Sequence, residues 1–92
     1  MDMSVMEATV EVRNRLGLHL RSATTLAKAA RDFKSTITVE KGSTKANARS
    51  VIALMTLGAS QGTRLKLRAE GDDAPQALAS FEALFENHFG ED

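Results

Sequence analysis

Four segments of the chain alternate between apolar and polar residues, which is the pattern of a strand with one buried face. The clearest segment spans Thr63–Glu70, with leucine and alanine on one face and basic residues on the other. The other three segments are Ala8–Arg13, Ser35–Glu40 and Ser43–Ala46. Strands with one polar face predict a sheet that helices cover on one side only.

Three further segments carry apolar residues at intervals of three and four, the period of an amphipathic helix. The first begins near Leu20, the second spans Ser50–Leu57, and the third follows Asp73. Aspartate is a common N-cap, and Pro75 suits a first helical turn, where a missing amide hydrogen costs little. We expect this last helix to continue to Phe89.

The predicted elements follow the order strand, helix, strand, strand, helix, strand, helix, which indicates a two-layer α+β sandwich. The chain has 92 residues and no repeat, low-complexity tract or linker, so it should form one domain over residues 1–92. Residues 1–7 precede the first alternating segment, and we expect them to form a short flexible start.

Composition and charge exclude several classes of function. Twelve Lys and Arg residues balance twelve Asp and Glu residues, so the basic excess typical of nucleic-acid binding is missing. The chain has no cysteine, which excludes disulfides, thiolate nucleophiles and Cys-based zinc sites, and its two distant histidines favour no metal site. No apolar run approaches the roughly 20 residues of a membrane helix, and the first residues lack a secretory pattern, so we expect a cytoplasmic protein.

A stripe of basic residues lies on one face of the last predicted strand, and RNA-binding sheets use such stripes. It consists of Arg64, Lys66 and Arg68, without interleaved aromatic residues. The four phenylalanines instead occupy positions at helical spacing in the predicted core. The stripe therefore indicates a solvated sheet face, not a nucleic-acid surface.

The two histidines of the chain lie in different settings. His88 falls in the predicted last turn of the final helix, where the helix dipole favours a histidine. His19 lies where a strand has ended and a helix begins, between Gly17 and Arg21. The first amides of a helix attract anions, and arginine adds a forked contact to phosphate oxygens. Neutral imidazole is a nucleophile, so the grouping is compatible with a covalent phosphate site, although spacing alone favours a capping or buried histidine.

The second predicted helix opens with Ser50, for which two interpretations stand. From the residues alone we interpret it as an N-cap that stabilises the helix by about 1 kcal/mol, with a hydroxyl phosphorylated for regulation as the alternative. Val51, Ile52 and Met55 follow, and one face of so short a helix cannot bury all of its apolar residues. Some of these three are expected to form an exposed docking patch, unless the small domain buries them all.

Two separated segments resemble the HPr family, the histidine-containing phosphocarriers of the bacterial phosphotransferase system. Asn14–Arg21 is similar to the active-site motif of the family, and Asn47–Gly58 is similar to its regulatory-serine segment. Gly62-Thr63 before the last strand and Ala69–Asp73 after it also match, so the resemblance extends from Ala8 to Phe89.

The resemblance implies an open-faced β-sandwich in which four antiparallel strands are covered on one face by three helices (βαββαβα). His19 would accept a phosphoryl group on Nδ1 from phosphorylated enzyme I, which draws on phosphoenolpyruvate. It would then pass the group to A-type subunits of sugar-specific enzymes. Arg21 would stabilise the phosphate, and Gly17, Leu20 and Arg21 would form the helix start that cradles it. The protein would be a monomeric carrier without a cofactor, not an enzyme with its own turnover.

The resemblance also assigns regulatory and docking residues. Ser50 would be the site of an ATP-dependent HPr kinase/phosphorylase. The partner-facing residues would be Leu20, Val51, Ile52 and Met55. Two positions depart from the family: Ser22 replaces a proline, which should leave the site slightly more freedom, and Leu20 is bulkier than the usual residue. Both departures bear on the choice of partner.

Two other functions remain as alternatives. An HPr-like protein of a nitrogen-related or signalling branch would still be phosphorylated on His19 but would act by docking. A small acyl-phosphate hydrolase would use Arg21 for phosphate and Asn47 to orient water, although no glycine-rich loop surrounds either residue.

Overall fold

The computed structural model describes residues 4–91, and four strands in it form a single open sheet. The strands are β1 (Val5–Glu11), β2 (Thr36–Lys41), β3 (Thr44–Asn47) and β4 (Arg64–Glu70). They pair antiparallel throughout, in the order β1-β4-β2-β3. The last strand in sequence therefore lies between β1 and β2, which is the arrangement of an open-faced sandwich.

Three helices cover one face of the sheet, which confirms the predicted α+β fold. They are α1 (Leu20–Ala30), α2 (Val51–Thr56) and α3 (Ala74–Glu86), and a short 3-10 turn follows at His88–Gly90. The apolar face of β4 is buried, as predicted: Leu65, Leu67 and Ala69 lie under the helices. None of the helices within residues 4–91 is long and apolar enough to cross a membrane.

The other face of the sheet carries charged side chains in ion pairs. Lys66 Nζ lies 3.5 Å from a carboxylate oxygen of Glu7 on the neighbouring strand, and Arg68 contacts both Glu7 and Glu70. Such half-exposed pairs contribute about 0–1 kcal/mol each. The basic stripe is thus part of a mixed-charge sheet face, as predicted.

Two predicted boundaries differ from the structure by more than two residues. β1 begins at Val5, and Val5–Glu7 pair with β4, so this part of the expected flexible start is ordered sheet; residues 1–3 lie outside the described residues. The last helix ends at Glu86, so the prediction that His88 lies in its final turn is wrong. His88 and Phe89 have φ values of 54° and 56° and turn the chain back towards the domain.

Candidate functional site

The loop before α1 packs closely against the segment after α2 at Gly17. Any other residue at this position would force the backbone to move. Gly17 has a φ of +69°, and a Cβ there would lie 2.5 Å from the carbonyl oxygen of Ala59. The next amide, of Leu18, donates to that same oxygen at 2.9 Å. The close backbone approach predicted from the sequence therefore positions the loop that leads into His19.

His19 is the N-cap residue of α1, with an extended backbone at φ −109°. Its amide donates to Ser22 Oγ at 3.0 Å, and that hydroxyl in turn donates to the carbonyl of Gly17 at 2.9 Å. Ser22 is fully buried. The serine that stands in place of the family proline therefore bonds the loop to the helix.

The imidazole of His19 is bonded by a carboxylate from the other end of the described chain. Its Nε2 lies 2.9 Å from Glu91 Oε2 and 3.0 Å from Glu91 Oε1. The His19 side chain is 32% exposed and the Glu91 side chain 9% exposed, so solvent reaches the ring more easily than the acid. Both hydrogen bonds to Glu91 use Nε2.

The Glu91 carboxyl has competing influences on its pKa. Burial raises the pKa, but hydrogen bonds from His19 and Asn14 and the positive charges of His19 and Arg21 together hold it below its ordinary value of 4.5. Arg21 itself is exposed at the first turn of α1. Glu91 is therefore an ionised hydrogen-bond acceptor at neutral pH.

Asn14 is a fully buried polar residue that joins the loop to Glu91. Its Nδ2 donates to the carbonyl of Gly17 at 2.8 Å and to Glu91 Oε1 at 2.7 Å. Its Oδ1 is buried without a hydrogen-bond partner among the described residues. A buried amide oxygen without a hydrogen-bond donor is unfavourable. The two hydrogen bonds that Nδ2 donates compensate for this cost, and they fix the orientation of the Asn14 side chain.

The start of α1 can receive an anion beside the ring. The amides of Leu20 and Arg21 are the first of the helix, and such amides have no acceptor within it. The helix dipole and the Arg21 guanidinium add positive potential there. A half-exposed imidazole beside such a position combines a nucleophile with groups that stabilise a phosphoryl group.

Four exposed apolar side chains on the loop before α1 and on helices α1 and α2 form what we call the apolar patch: Leu16, Leu20, Ile52 and Met55. Helices α1 and α2 pack against each other, and the loop at Gly17 contacts the segment after α2. The patch therefore spans both helices beside His19. Val51, expected in the docking patch, is half-buried and packs against the core.

Ser50 is the N-cap of α2, as its sequence position predicts. Its Oγ accepts a hydrogen bond from the amide of Ala53 at 3.1 Å, and the residue is partly exposed. The capping role and a regulatory role are compatible, because the residue is not buried.

Sequence patterns did not indicate Glu91 or the role of Asn14. Glu91 is 72 positions from His19, and no local periodicity links the two. Asn14 follows a strand and lies three residues before Gly17, a common turn setting that suggests no buried bond to a distant acid. Asn47, the water-orienting residue of the hydrolase alternative, accepts a bond from the nearby amide of Arg49.

Comparisons with known proteins agree on one family. Residues 6–87 match the family model PTS-HPr, described as the PTS HPr component phosphorylation site. The chain is 38% identical to the phosphocarrier protein HPr of Xylella fastidiosa strain Temecula1, with 96% of this chain and 99% of the relative covered. It is 40% identical to the phosphocarrier protein NPr of Shewanella violacea, with 97% and 98% covered.

A solved structure also matches the fold. The crystal structure of HPr-C-His from Thermoanaerobacter tengcongensis superposes with a TM-score of 0.90 at 45% sequence identity. The match covers 95% of this chain and 98% of that one. The resemblance drawn from the two sequence motifs is thereby confirmed over nearly the whole chain.

Proposed function

This chain belongs to the HPr family of phosphocarrier proteins, and we propose that it accepts a phosphoryl group on Nδ1 of His19 and passes it on. The observation that carries the proposal is the setting of the imidazole at the first turn of α1, with Nε2 bonded to Glu91. Because that bond occupies Nε2, Nδ1 is the ring nitrogen available to attack phosphorus.

The groups around the ring suit a phosphoryl group that must stay only briefly. The amides of Leu20 and Arg21 and the Arg21 guanidinium offer hydrogen bonds and positive charge to its oxygens. Gly17 completes this helix start by holding the loop close to Ala59. The contacts stabilise the phosphorylated form without a cofactor, and the exposed edge of the ring leaves room for a partner to approach.

The donor in this proposal is phosphorylated enzyme I, supplied by phosphoenolpyruvate, and the acceptors are A-type subunits of sugar-specific enzymes. The apolar patch supports docking of such partners, because it exposes apolar side chains on the helix that begins after His19 and on the helix packed against it. Leu20, which lies next to His19, would contact each partner near the transferred group. We propose that the protein works as a monomer in the cytoplasm.

We also propose Ser50 as a regulatory site for an HPr kinase/phosphorylase. Its hydroxyl begins the helix that carries Ile52 and Met55, two members of the apolar patch. A phosphate there would add close to two negative charges at neutral pH beside an apolar docking surface. The added charge would weaken binding of any partner that covers the patch.

A second candidate function is regulatory, in a branch without a sugar permease. It is favoured by the similarity to a protein named NPr, which at 40% identity is comparable with the 38% identity to a protein named HPr. Phosphorylation of His19 would be common to both candidates, and the acceptor would differ. Competition between A-type acceptors of the two branches for the phosphorylated protein distinguishes them.

The acceptor residue is tested by substitution of the two histidines. We expect His19→Ala to abolish phosphorylation by enzyme I and phosphoenolpyruvate, because the attacking nitrogen is removed. His88→Asn is the matched control, since His88 lies in the turn after α3 and asparagine tolerates its φ of 54°. Intact-protein mass spectrometry measures the added phosphate, and brief acid treatment should remove it, as it removes phosphate from histidine.

Two results would contradict the assignment. One is phosphate that still appears on the His19→Ala protein, and the other is phosphate on the wild type that survives acid. Loss of labelling in the His88→Asn control would also contradict it, because the acceptor would then be the other histidine.

A further inference from the structure

Glu91 is placed to act on His19 from a distant part of the chain. Both of its carboxylate oxygens lie within 3.0 Å of Nε2, and a second donor, Asn14 Nδ2, contacts Oε1 at 2.7 Å. The Glu91 side chain is nearly buried while the ring is one-third exposed. The acid therefore lies on the protected side of a ring that is open to a partner.

The path of the chain after α3 brings Glu91 to this position. Phe89 is buried, and its ring packs edge-on against Phe85 at 4.8 Å between centroids. His88 and Phe89 both have left-handed backbones, which are unfavourable for non-glycine residues. Burial of the Phe89 ring offsets the unfavourable backbone. Glu91 is therefore held near His19 by packing of the chain after α3, in addition to its hydrogen bonds with the imidazole.

An ionised carboxylate only accepts hydrogen bonds, so the nitrogen that faces it must carry the hydrogen. We propose that Glu91 is a positioning residue for His19: it keeps the ring hydrogen on Nε2 and leaves the lone pair on Nδ1. The inference deepens the proposed function, since its value lies in preparing Nδ1 to accept phosphate. Asn14 acts through Glu91, because its amide holds one carboxylate oxygen in place.

The arrangement lets one hydrogen remain on Nε2 through both transfer steps. In the first, the Nδ1 lone pair forms the bond to phosphorus, and the donor leaves with the electron pair of its own bond. The ring becomes a cation, which the Glu91 carboxylate stabilises. In the second, the partner attacks phosphorus, the electron pair of the Nδ1–P bond returns to Nδ1, and the ring is again neutral. Neither step needs a proton from solvent.

The tautomer is measured directly by ¹H–¹⁵N NMR on protein labelled at histidine, without any partner. At a pH where the ring is neutral, we expect the wild type to be in the Nε2–H form. Glu91→Gln should allow a detectable Nδ1–H population, because an amide can either donate to Nε2 or accept from it. Glu86→Gln, an exposed acid at the end of α3, is the matched control and should leave the spectrum unchanged.

Single-turnover transfer from phosphorylated enzyme I supplies the second measurement. We expect Glu91→Gln to slow transfer roughly 10- to 100-fold, as loss of an orienting carboxylate does at metal-binding histidines, with little change in the half-saturating concentration of enzyme I. A structural defect alone would change the unfolding transition as well, so that is measured on the same samples.

The outcomes separate the two proposals. An Nδ1–H ring in the wild type, or a Glu91→Gln protein with wild-type tautomer and wild-type transfer rate, overturns the role of Glu91. Absence of phosphorylation in the wild type overturns the proposed function instead, and the NMR spectra then decide the tautomer independently. An unfolded Glu91→Gln protein leaves the wild-type spectrum as the deciding observation.

Discussion

Single residues set the geometry of the loop that carries His19. Gly17 meets two demands at once: a left-handed backbone and room for the Ala59 carbonyl where a Cβ would be. Ser22 meets a third, because its buried hydroxyl accepts from the His19 amide and donates to the Gly17 carbonyl. The imidazole is thus positioned by backbone contacts before any partner binds.

The steric cost of a side chain at Gly17 can be measured separately from the cost of its left-handed backbone. Gly42 has a similar φ of +59°, but a Cβ there would meet nothing within 4 Å. Gly42→Ala should therefore cost only the left-handed backbone, about 1–2 kcal/mol of unfolding free energy. Gly17→Ala should cost clearly more, because the segment at Ala59 must also move. Urea denaturation of both variants measures the difference, and equal losses would show that the close approach carries no strain.

Among the connections between elements, one carboxylate joins the loop before β2 to the start of α3. Asp73 is the N-cap residue of α3, yet its side chain does not cap that helix. It accepts instead from the amides of Lys34 and Ser35 and from the Ser35 hydroxyl, at 2.5–2.9 Å. The bond from the Ser35 hydroxyl is the largest cause that lowers the Asp73 pKa below 3.8, followed by the bond from the Lys34 amide.

The lowered pKa of Asp73 has a definite consequence for stability against pH. The carboxylate form favours the folded state, so its contribution is present above pH 3.8 and is lost as pH falls through the lower folded pKa. We expect Asp73→Asn to be less stable than the wild type near neutral pH, with the gap closing below pH 3.8. Thermal unfolding over this range measures the gap.

Asp72→Asn is the control for this comparison, because it removes the same charge from an exposed neighbour. Its stability should follow the wild type across the range. A gap between Asp73→Asn and the wild type that stays constant down to the lowest pH would contradict the linkage.

Taken as a whole, the molecule has two unlike faces. The open face of the sheet carries paired charges, whereas the helical side carries the apolar patch next to His19. Charged pairs keep the sheet face hydrated, and the exposed apolar side chains gain free energy when a partner covers them. A partner is therefore expected on the helical side.

A charge placed in the apolar patch tests this division. Ile52 is 78% exposed, so Ile52→Glu should leave the unfolding free energy within about 0.5 kcal/mol of the wild type. We expect phosphoryl transfer from enzyme I at subsaturating concentration to fall about tenfold, equivalent to about 1.4 kcal/mol of docking free energy. Thr9→Glu, on exposed β1, is the control and should transfer at the wild-type rate. Equal rates for both variants would place the docking surface elsewhere.

Local pattern was sufficient for the fold and for much of the site. Alternation with a period of two and apolar spacing of three and four are properties of single strands and helices, so all seven predicted elements are confirmed. The motif around His19 and the segment around Ser50 were enough to indicate the family. The start of β1 and the end of α3 differ from the prediction, because pairing with β4 extends the strand and reversal of the chain at His88 ends the helix.

Tertiary structure decided which groups surround the imidazole. Glu91 reaches His19 only because Phe89 packs on Phe85 and the chain turns back through two left-handed residues. Exposure of Ile52 and partial burial of Val51 likewise follow from how α2 lies against its neighbours. Periodicity describes contacts within a few residues along the chain, whereas these depend on packing between elements that are far apart in sequence.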